Sequence, residues 1–292
     1  MISPDFVFSQ NSLHDFIECP RRFQLRHVLH MAWPAAETDD QTYFEHHQEQ
    51  GQDFHRKVQQ FYSGIPVEVI AASIQDDLLQ SWWDNFLASS KGFPWADLMD
   101  SQPGPVIRPE YSLSARLHDH RLTAKYDLIA ALPRKQFWIY DWKTSLTIPP
   151  REKLEQRIQT RLYSWMLVSA GTHLNGGNPI SPDQVLMTYW FAQNPGRQML
   201  FPYSREQYET DERDLGSLMD HISALPDEGF ALTDDKRRCR YCVYRSYCER
   251  GFAPGKWTEL SDDDDSLDLP AWDSIPSWDD LPSTGGNDPL EQ

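Results

Sequence analysis

The chain has 292 residues, 39% of them hydrophobic and 11 of them Trp, enough apolar content for one large core or two modest ones. No apolar run reaches the length needed to span a bilayer, and Met1-Ile2-Ser3-Pro4-Asp5 carries no basic leader, so a soluble cytoplasmic protein with no membrane contact is expected. A formal net charge of −17 argues against a nucleic-acid binder until it is apportioned: 11 acidic residues and no Lys or Arg follow position 258, which leaves 33 acidic against 27 basic residues before it.

The first predicted helix covers residues 11–29, with Ser12 as its cap and Leu13, Phe16, Ile17, Phe23 and Leu25 as apolar positions. Cys19-Pro20 interrupts it. Proline is tolerated in the first turn of a new helix, so Cys19 is placed at a junction where its side chain can reach a metal. After a polar stretch at 35–41, a second helix over 42–62 carries His46, His47 and His55, and Gly51, one turn before His55, allows close approach of another element. A lone helical histidine is more often filler than ligand, and His55 gains interest only beside an acidic site. A third helix over 74–89, with Trp82, Trp83 and Phe86, reads as a helical insertion before the sheet.

Three strands follow at 106–117, 121–132 and 136–142, joined by turns at His118-Asp119-His120 and Pro133-Arg134-Lys135. Asp127 falls mid-strand on an otherwise apolar face, while Asp141 and Lys143, two apart, share one strand face. Carboxylate oxygens suit Mg²⁺ or Mn²⁺, which lowers the pKa of a bound water and polarises a phosphoryl group, and a lysine beside them can orient that water or offset charge on the phosphate. An isolated Asp-x-Lys is usually a plain salt bridge, so Asp141-Trp142-Lys143 needs company. Beyond Pro149-Pro150, residues 151–170 read as one helix with Leu154, Ile158, Leu162, Trp165 and Met166 in a stripe. Gln159 and Tyr163 sit together at its edge, either as a polar rim or as a contact to a nucleotide base or phosphate. Strands at 184–192 and 198–203 and a helix over 204–224 complete this part.

Four cysteines in such a chain are not a disulfide framework. Cys239, Cys242 and Cys248 crowd within ten residues and, with Cys19, make a four-thiolate set that zinc or an iron–sulfur cluster accepts. Either would tie the first helix to the last folded segment across more than two hundred residues. Arg237, Arg238, Arg240, Arg245 and Arg250 alternate with Tyr241, Tyr244 and Tyr247 there, a pattern that suits a DNA-binding rim or packing around the cluster.

Together these residues resemble the PD-(D/E)XK nuclease superfamily, in particular its RecB-like branch with an iron–sulfur cluster, which includes AddB-type nuclease domains and exonucleases of CRISPR adaptation. The resemblance covers most of residues 8–251: Phe8-Ser9-Gln10-Asn11-Ser12-Leu13 through Cys19-Pro20-Arg21-Arg22-Phe23 is similar to the opening of such proteins, and Gly51-Gln52-Asp53-Phe54-His55 to their metal-binding histidine helix. It implies an α/β, restriction-endonuclease-like mixed sheet flanked by helices. An N-terminal helical region (1–104), a nuclease core (105–225), an iron–sulfur segment (226–258) and a disordered acidic tail (259–292) would follow one another.

The resemblance further implies Mg²⁺ or Mn²⁺ on His55, Asp127, Asp141 and the backbone carbonyl of Trp142, with Lys143 catalytic and Glu110 accessory. Gln159 and Tyr163 match the family's Gln-x-x-x-Tyr helix, and Cys19, Cys239, Cys242 and Cys248 a 4Fe-4S cluster, with zinc as the alternative. Ala124-Lys125-Tyr126-Asp127 departs from the pattern, since a glycine often precedes the aspartate by two. The expected activity is metal-dependent exonucleolytic cleavage of single-stranded DNA or duplex ends in repair, recombination or defence. The competing reading is a catalytically silent DNA-binding scaffold subunit. No glycine-rich ATP loop is present, so helicase activity needs another chain, and a repair or helicase protein is an expected partner. In the tail, Asp262-Asp263-Asp264-Asp265 with Trp272 and Trp278 reads as a solubilising extension, as a DNA mimic laid in a basic groove, or as a docking peptide for a repair protein.

Overall fold

Runs of β-branched and aromatic residues between turn signals build the sheet that organises the molecule. The computed structural model describes residues 2–31, 39–99, 101, 104–145, 147–240 and 242–250. Its strands are β1 (Val7–Ser9), β2 (Val106–Leu117), β3 (His120–Leu132), β4 (Gln136–Lys143), β5 (Val185–Phe191) and β6 (Gln198–Pro202), joined in a six-stranded mixed sheet. β2 runs antiparallel to β3 along one whole edge. The other edge of β3 is shared, β1 lying parallel to residues 121–123 and β4 antiparallel to residues 128–132. β5 is parallel to β4, and β6 closes the far side antiparallel to β5.

Helices cover both faces, each with its own core. On one side α1 (Gln10–Glu18), α2 (Pro20–Phe23), α7 (Ile158–Ala170) and α8 (Arg205–Ala224) bury Phe16, Phe23, Leu162, Met166, Leu215 and Met219 against Tyr126, Ile139 and Met187 of the strands. On the other, α3 (Asp39–Tyr62), α4 (Val67–Ala72) and α5 (Asp77–Ser90) press Phe54, Trp82, Trp83 and Phe86 onto Tyr140, Trp142 and Trp190. Large flat rings suit this side, because a sheet face and a helix stripe leave slots that aromatic side chains fill at high density. α6 (Arg151–Gln156) precedes α7, and α9 (Lys236–Arg240) lies in the cysteine-rich segment. The α/β class and the mixed, helix-flanked sheet are as expected.

Several local expectations change. Ser9, not Ser12, caps α1: its Oγ accepts from Ser12 N–H at 3.2 Å while Ser12 Oγ accepts from Ser9 N–H at 2.8 Å, a reciprocal box that makes Ser12 the third residue of the helix. Ile17, expected in the apolar stripe, is 50% exposed. The helix expected over 151–170 breaks at Arg157, whose ψ of 139° is extended, and Thr160 Oγ donates back to Leu154 O across the break. β1 and α4 have no counterpart among the expected elements. The region expected as an insertion is the layer that covers one sheet face. The polar stretch at 35–38, Tyr241 and the tail from 259 lie outside the described residues.

Candidate active site

β3 is where the two layers trade places. Leu122, Ala124 and Tyr126 line the first core, whereas Leu128 and Ala130 line the second, so the strict alternation of a strand reverses at Asp127. β2 reverses at the same level, with Leu113 and Leu117 in the first core and Ile107 packed on the second. At that reversal Glu110 takes the left-handed conformation (φ 48°), uncommon for a residue with a Cβ. The β2–β3 register, Pro109 with Leu128 and Tyr111 with Tyr126, sets Glu110 opposite Asp127. The β3–β4 pairing begins at Leu128 and Tyr140, and carrying it one step further sets Asp141 on the other side of Asp127. Three carboxylates therefore share one row across three strands at the point where β3 and β4 part.

Asp127 holds the fork open. Its Oδ2 accepts the Trp142 N–H at 2.8 Å, and its Oδ1 lies 3.3 Å from His55 Nδ1, presented by α3 from the second layer. Glu110 Oε1 lies 4.0 Å from the same nitrogen, and Oε2 pairs with Lys125 Nζ at 2.9 Å. From the first layer, α7 sends Gln159, whose Nε2 donates to Asp141 Oδ1 at 2.5 Å and whose Oε1 accepts from Lys143 Nζ at 3.0 Å. Lys143 Nζ also lies 2.9 Å from Asp141 Oδ2 and over the Tyr189 ring. Tyr163, one turn after Gln159, is buried against Tyr126, whose hydroxyl donates to the Tyr163 carbonyl at 2.9 Å. Gln159 and Tyr163 thus face the acid–lysine pair from inside, both only 6% exposed.

Among the described residues, His55, Glu110 and Asp127 place ligand atoms within 4.8 Å of one another. Asp141 stands outside that tight set because Gln159 and Lys143 hold its carboxylate. Glu110, carried from sequence only as an accessory, stands inside it; counting the hairpin back from the turn at 118–119 gives its register with Asp127, a signal that was available in the chain. The chemistry of the donors fits a divalent cation here: those within reach of one another are carboxylate oxygens and one imidazole.

The charges agree. Burial disfavours a charged His55, yet Asp127, Glu110 and Asp141 outweigh it and raise the imidazole to about 9. Burial likewise opposes ionisation of Asp127, but His55, the Trp142 N–H and Lys143 hold it below the usual carboxylate range. Asp141 goes the other way, pushed up to about 6 by burial and by the charge on Asp127 against the pull of Lys143, and Glu110 is raised by burial and Asp127. Neighbouring acids driven in opposite directions mark a site where three carboxylates crowd together and are offset by Lys125, Lys143 and the His55 imidazole.

The four cysteines also converge. Cys19, Cys239, Cys242 and Cys248, all reduced, line one cavity with Arg22, Leu25, Thr233, Tyr244 and Arg250. Burial raises the Cys242 thiol to about 11 and raises Cys248 as well. Three arginines of this segment bind the protein itself: Arg238 Nη1 donates to Glu18 O at 3.0 Å and pairs with the Glu18 carboxylate, Arg250 donates to Thr233 O at 2.8 Å, and Arg237 pairs with Asp235. Tyr244 is buried beneath Arg26, and Tyr247 is exposed.

The sequence profile of the PD-(D/E)XK nuclease superfamily matches residues 7–249. Among solved structures the chain is similar to SSO0001, with 12% identity, 87% of this chain and 90% of that one covered, and a TM-score of 0.38. It is also similar to a protein named as a candidate exonuclease from Eubacterium rectale, with 10% identity, coverage of 78% and 83%, and a TM-score of 0.47. No curated protein sequence matches it. A profile match running from β1 to the last cysteine, over a mixed sheet whose fork gathers acids and a lysine, leads to one conclusion: the chain belongs to the PD-(D/E)XK nuclease superfamily, whose members are phosphodiester hydrolases.

Proposed function

We propose that the chain is a metal-dependent deoxyribonuclease that degrades DNA from an end. The observation that carries this reading is the convergence of His55, Glu110, Asp127, Asp141 and Lys143 at the fork between β3 and β4. His55, Asp127 and Asp141 would hold Mg²⁺ or Mn²⁺, with the Trp142 carbonyl as a further ligand and Glu110 as an added carboxylate. A bound divalent ion supplies Lewis acidity toward the phosphate and lowers the pKa of water. The chain's own groups do the rest. Lys143 presents an ammonium at the cleft, where it can orient the attacking water and offset charge building on the phosphate. Gln159 fixes Lys143 and Asp141 relative to each other through both ends of its amide, and Tyr163 backs Gln159.

The four cysteines are proposed to hold a 4Fe-4S cluster. The lining of one cavity by all four thiols supports a shared metal group, and the likeness of their spacing to the cluster-bearing branch favours iron–sulfur, with zinc as the alternative. The proposed layout keeps a helical region over 1–104, the nuclease core over 105–225, the cluster segment over 226–258 and the acidic tail over 259–292, with single-stranded DNA or duplex ends as substrate and a helicase or repair protein as partner. The test is a cleavage assay on end-labelled linear and on circular DNA with Mn²⁺, using wild type and Lys143→Ala. Digestion of linear DNA alone, reduced at least about 100-fold in the variant with DNA binding retained, is expected. Equal cutting of circles removes the end requirement, and DNA binding without any cutting by wild type leaves a scaffold.

A further inference from the structure

α3 meets the sheet at a glycine. A Cβ built on Gly51 would lie 2.9 Å from Thr144 Oγ1 and 3.9 Å from Thr144 Cβ, so the buried helix backbone rests directly on the residue that follows Lys143. Alanine is the better helix former, and glycine inside a long helix weakens it, so local propensity offers no reason for Gly51. The reason lies one turn on, where His55 occupies the same helix face and its Nδ1 stands 3.3 Å from Asp127.

The backbone on both sides of this contact is anchored. On the helix side, Gln50 Nε2 donates to Asp76 Oδ2 at 2.8 Å, where Asp76 also caps α5 by accepting from Leu79 N–H, and Phe54 stacks on Trp190 with ring centroids 5.9 Å apart. On the strand side, the Lys143 carbonyl accepts the Ala192 N–H at 2.8 Å, tying the end of β4 to the end of β5. Thr144 is β-branched and stiff about χ1, so its hydroxyl moves only by exchanging rotamer. A methyl inserted at 51 would lever α3 outward about these fixed points, and the displacement falls on the imidazole one turn further along.

We propose that Gly51 is a positioning residue: by seating α3 on Thr144 it sets the height of His55 over the carboxylates and so tunes the affinity of the site for a divalent cation. This rests on the metal-binding reading of His55. It predicts that Gly51→Ala weakens Mn²⁺ binding about tenfold, the size of effect seen when groups that orient a metal ligand are altered. Thr144→Ala in the same chain removes the contacting oxygen and should restore most of that loss.

The experiment is calorimetric Mn²⁺ titration of the full chain as wild type, His55→Ala, Gly51→Ala, Thr144→Ala and the double variant, with circular dichroism and thermal unfolding in parallel. Coupling between positions 51 and 144 in Mn²⁺ affinity, with the Gly51→Ala chain folded at the titration temperature, supports the seat. Wild-type Mn²⁺ affinity in Gly51→Ala overturns it, as does a loss that the double variant fails to recover. If Gly51→Ala does not fold, the double variant still must, and must bind Mn²⁺ nearly as Thr144→Ala does. Unchanged affinity in His55→Ala would instead remove the metal assignment itself.

Discussion

Gln159 is the residue on which the acid and the lysine of the site agree. Its amide donates to Asp141 and accepts from Lys143, so one side chain fixes both partners. Gln159→Met keeps length and burial but loses both hydrogen bonds, leaving the Lys143–Asp141 pair without the amide that fixes its orientation. The expected result is a 10- to 100-fold fall in kcat, a range drawn from the effect of groups that orient a site's ligands, with little change in DNA affinity. Single-turnover kinetics beside equilibrium DNA binding would check it, and an equal loss in both would move Gln159 to the substrate. This internal role was not legible in the chain: a Gln four residues from a Tyr looks the same whether it faces solvent or a buried acid, and the difference comes from the break at Arg157, which places Gln159 in the first turn of α7.

Among the elements, α1 and α2 show how the N-terminal helices are held. Asp15, buried, lies 2.7 Å from Arg22 Nε, 2.8 Å from Arg26 Nη1 and 2.9 Å from His27 Nε2, so one carboxylate anchors both short helices and the wide turn at Gln24–Val28. Burial alone would raise its pKa, but Arg22, His27 and Arg26 together hold it well below the carboxylate range. A carboxyl depressed by folding stabilises above its unfolded value near 4 and loses that contribution as pH falls. Asp15→Asn should therefore cost about 3–5 kcal/mol at pH 7, and its gap from wild type should narrow as pH drops below about 4, measured by denaturant unfolding. A pH-independent gap would place the effect in packing. At this scale the sequence was a good guide to β2, β3, β4 and α8, whose periods and turns agree. It failed where a stripe survives a break, as between α6 and α7, where a three-residue strand such as β1 depends on a distant partner, and where strand alternation reverses at Glu110 and Asp127.

Across the whole molecule, the cysteine site joins the two ends of the folded chain. Arg21 N–H donates to Ala231 O at 3.1 Å, Gln24 Nε2 to Asp227 O at 2.7 Å, and Tyr244 hydroxyl to Met31 O at 3.3 Å, so the residues around Cys19 and those around Cys242 already dock. A cluster across that seam would close a very long loop, and Cys242→Ser should lose bound iron and lower the anaerobic unfolding midpoint by about 5 °C or more. Zinc in place of iron would change the metal but keep the drop, whereas an unchanged midpoint would detach the cysteines from stability. The charge of −17 was misleading as a total and informative once divided, because the excess acid falls largely in residues outside the fold described. The central claim is that the fork of the sheet is a cation site. Its most direct measurement is an anomalous difference map from crystals of the full chain soaked in Mn²⁺. The account predicts a peak within bonding distance of His55 and Asp127 that vanishes in Asp127→Ala; a map with no peak at the fork, or a peak indifferent to that substitution, would contradict it.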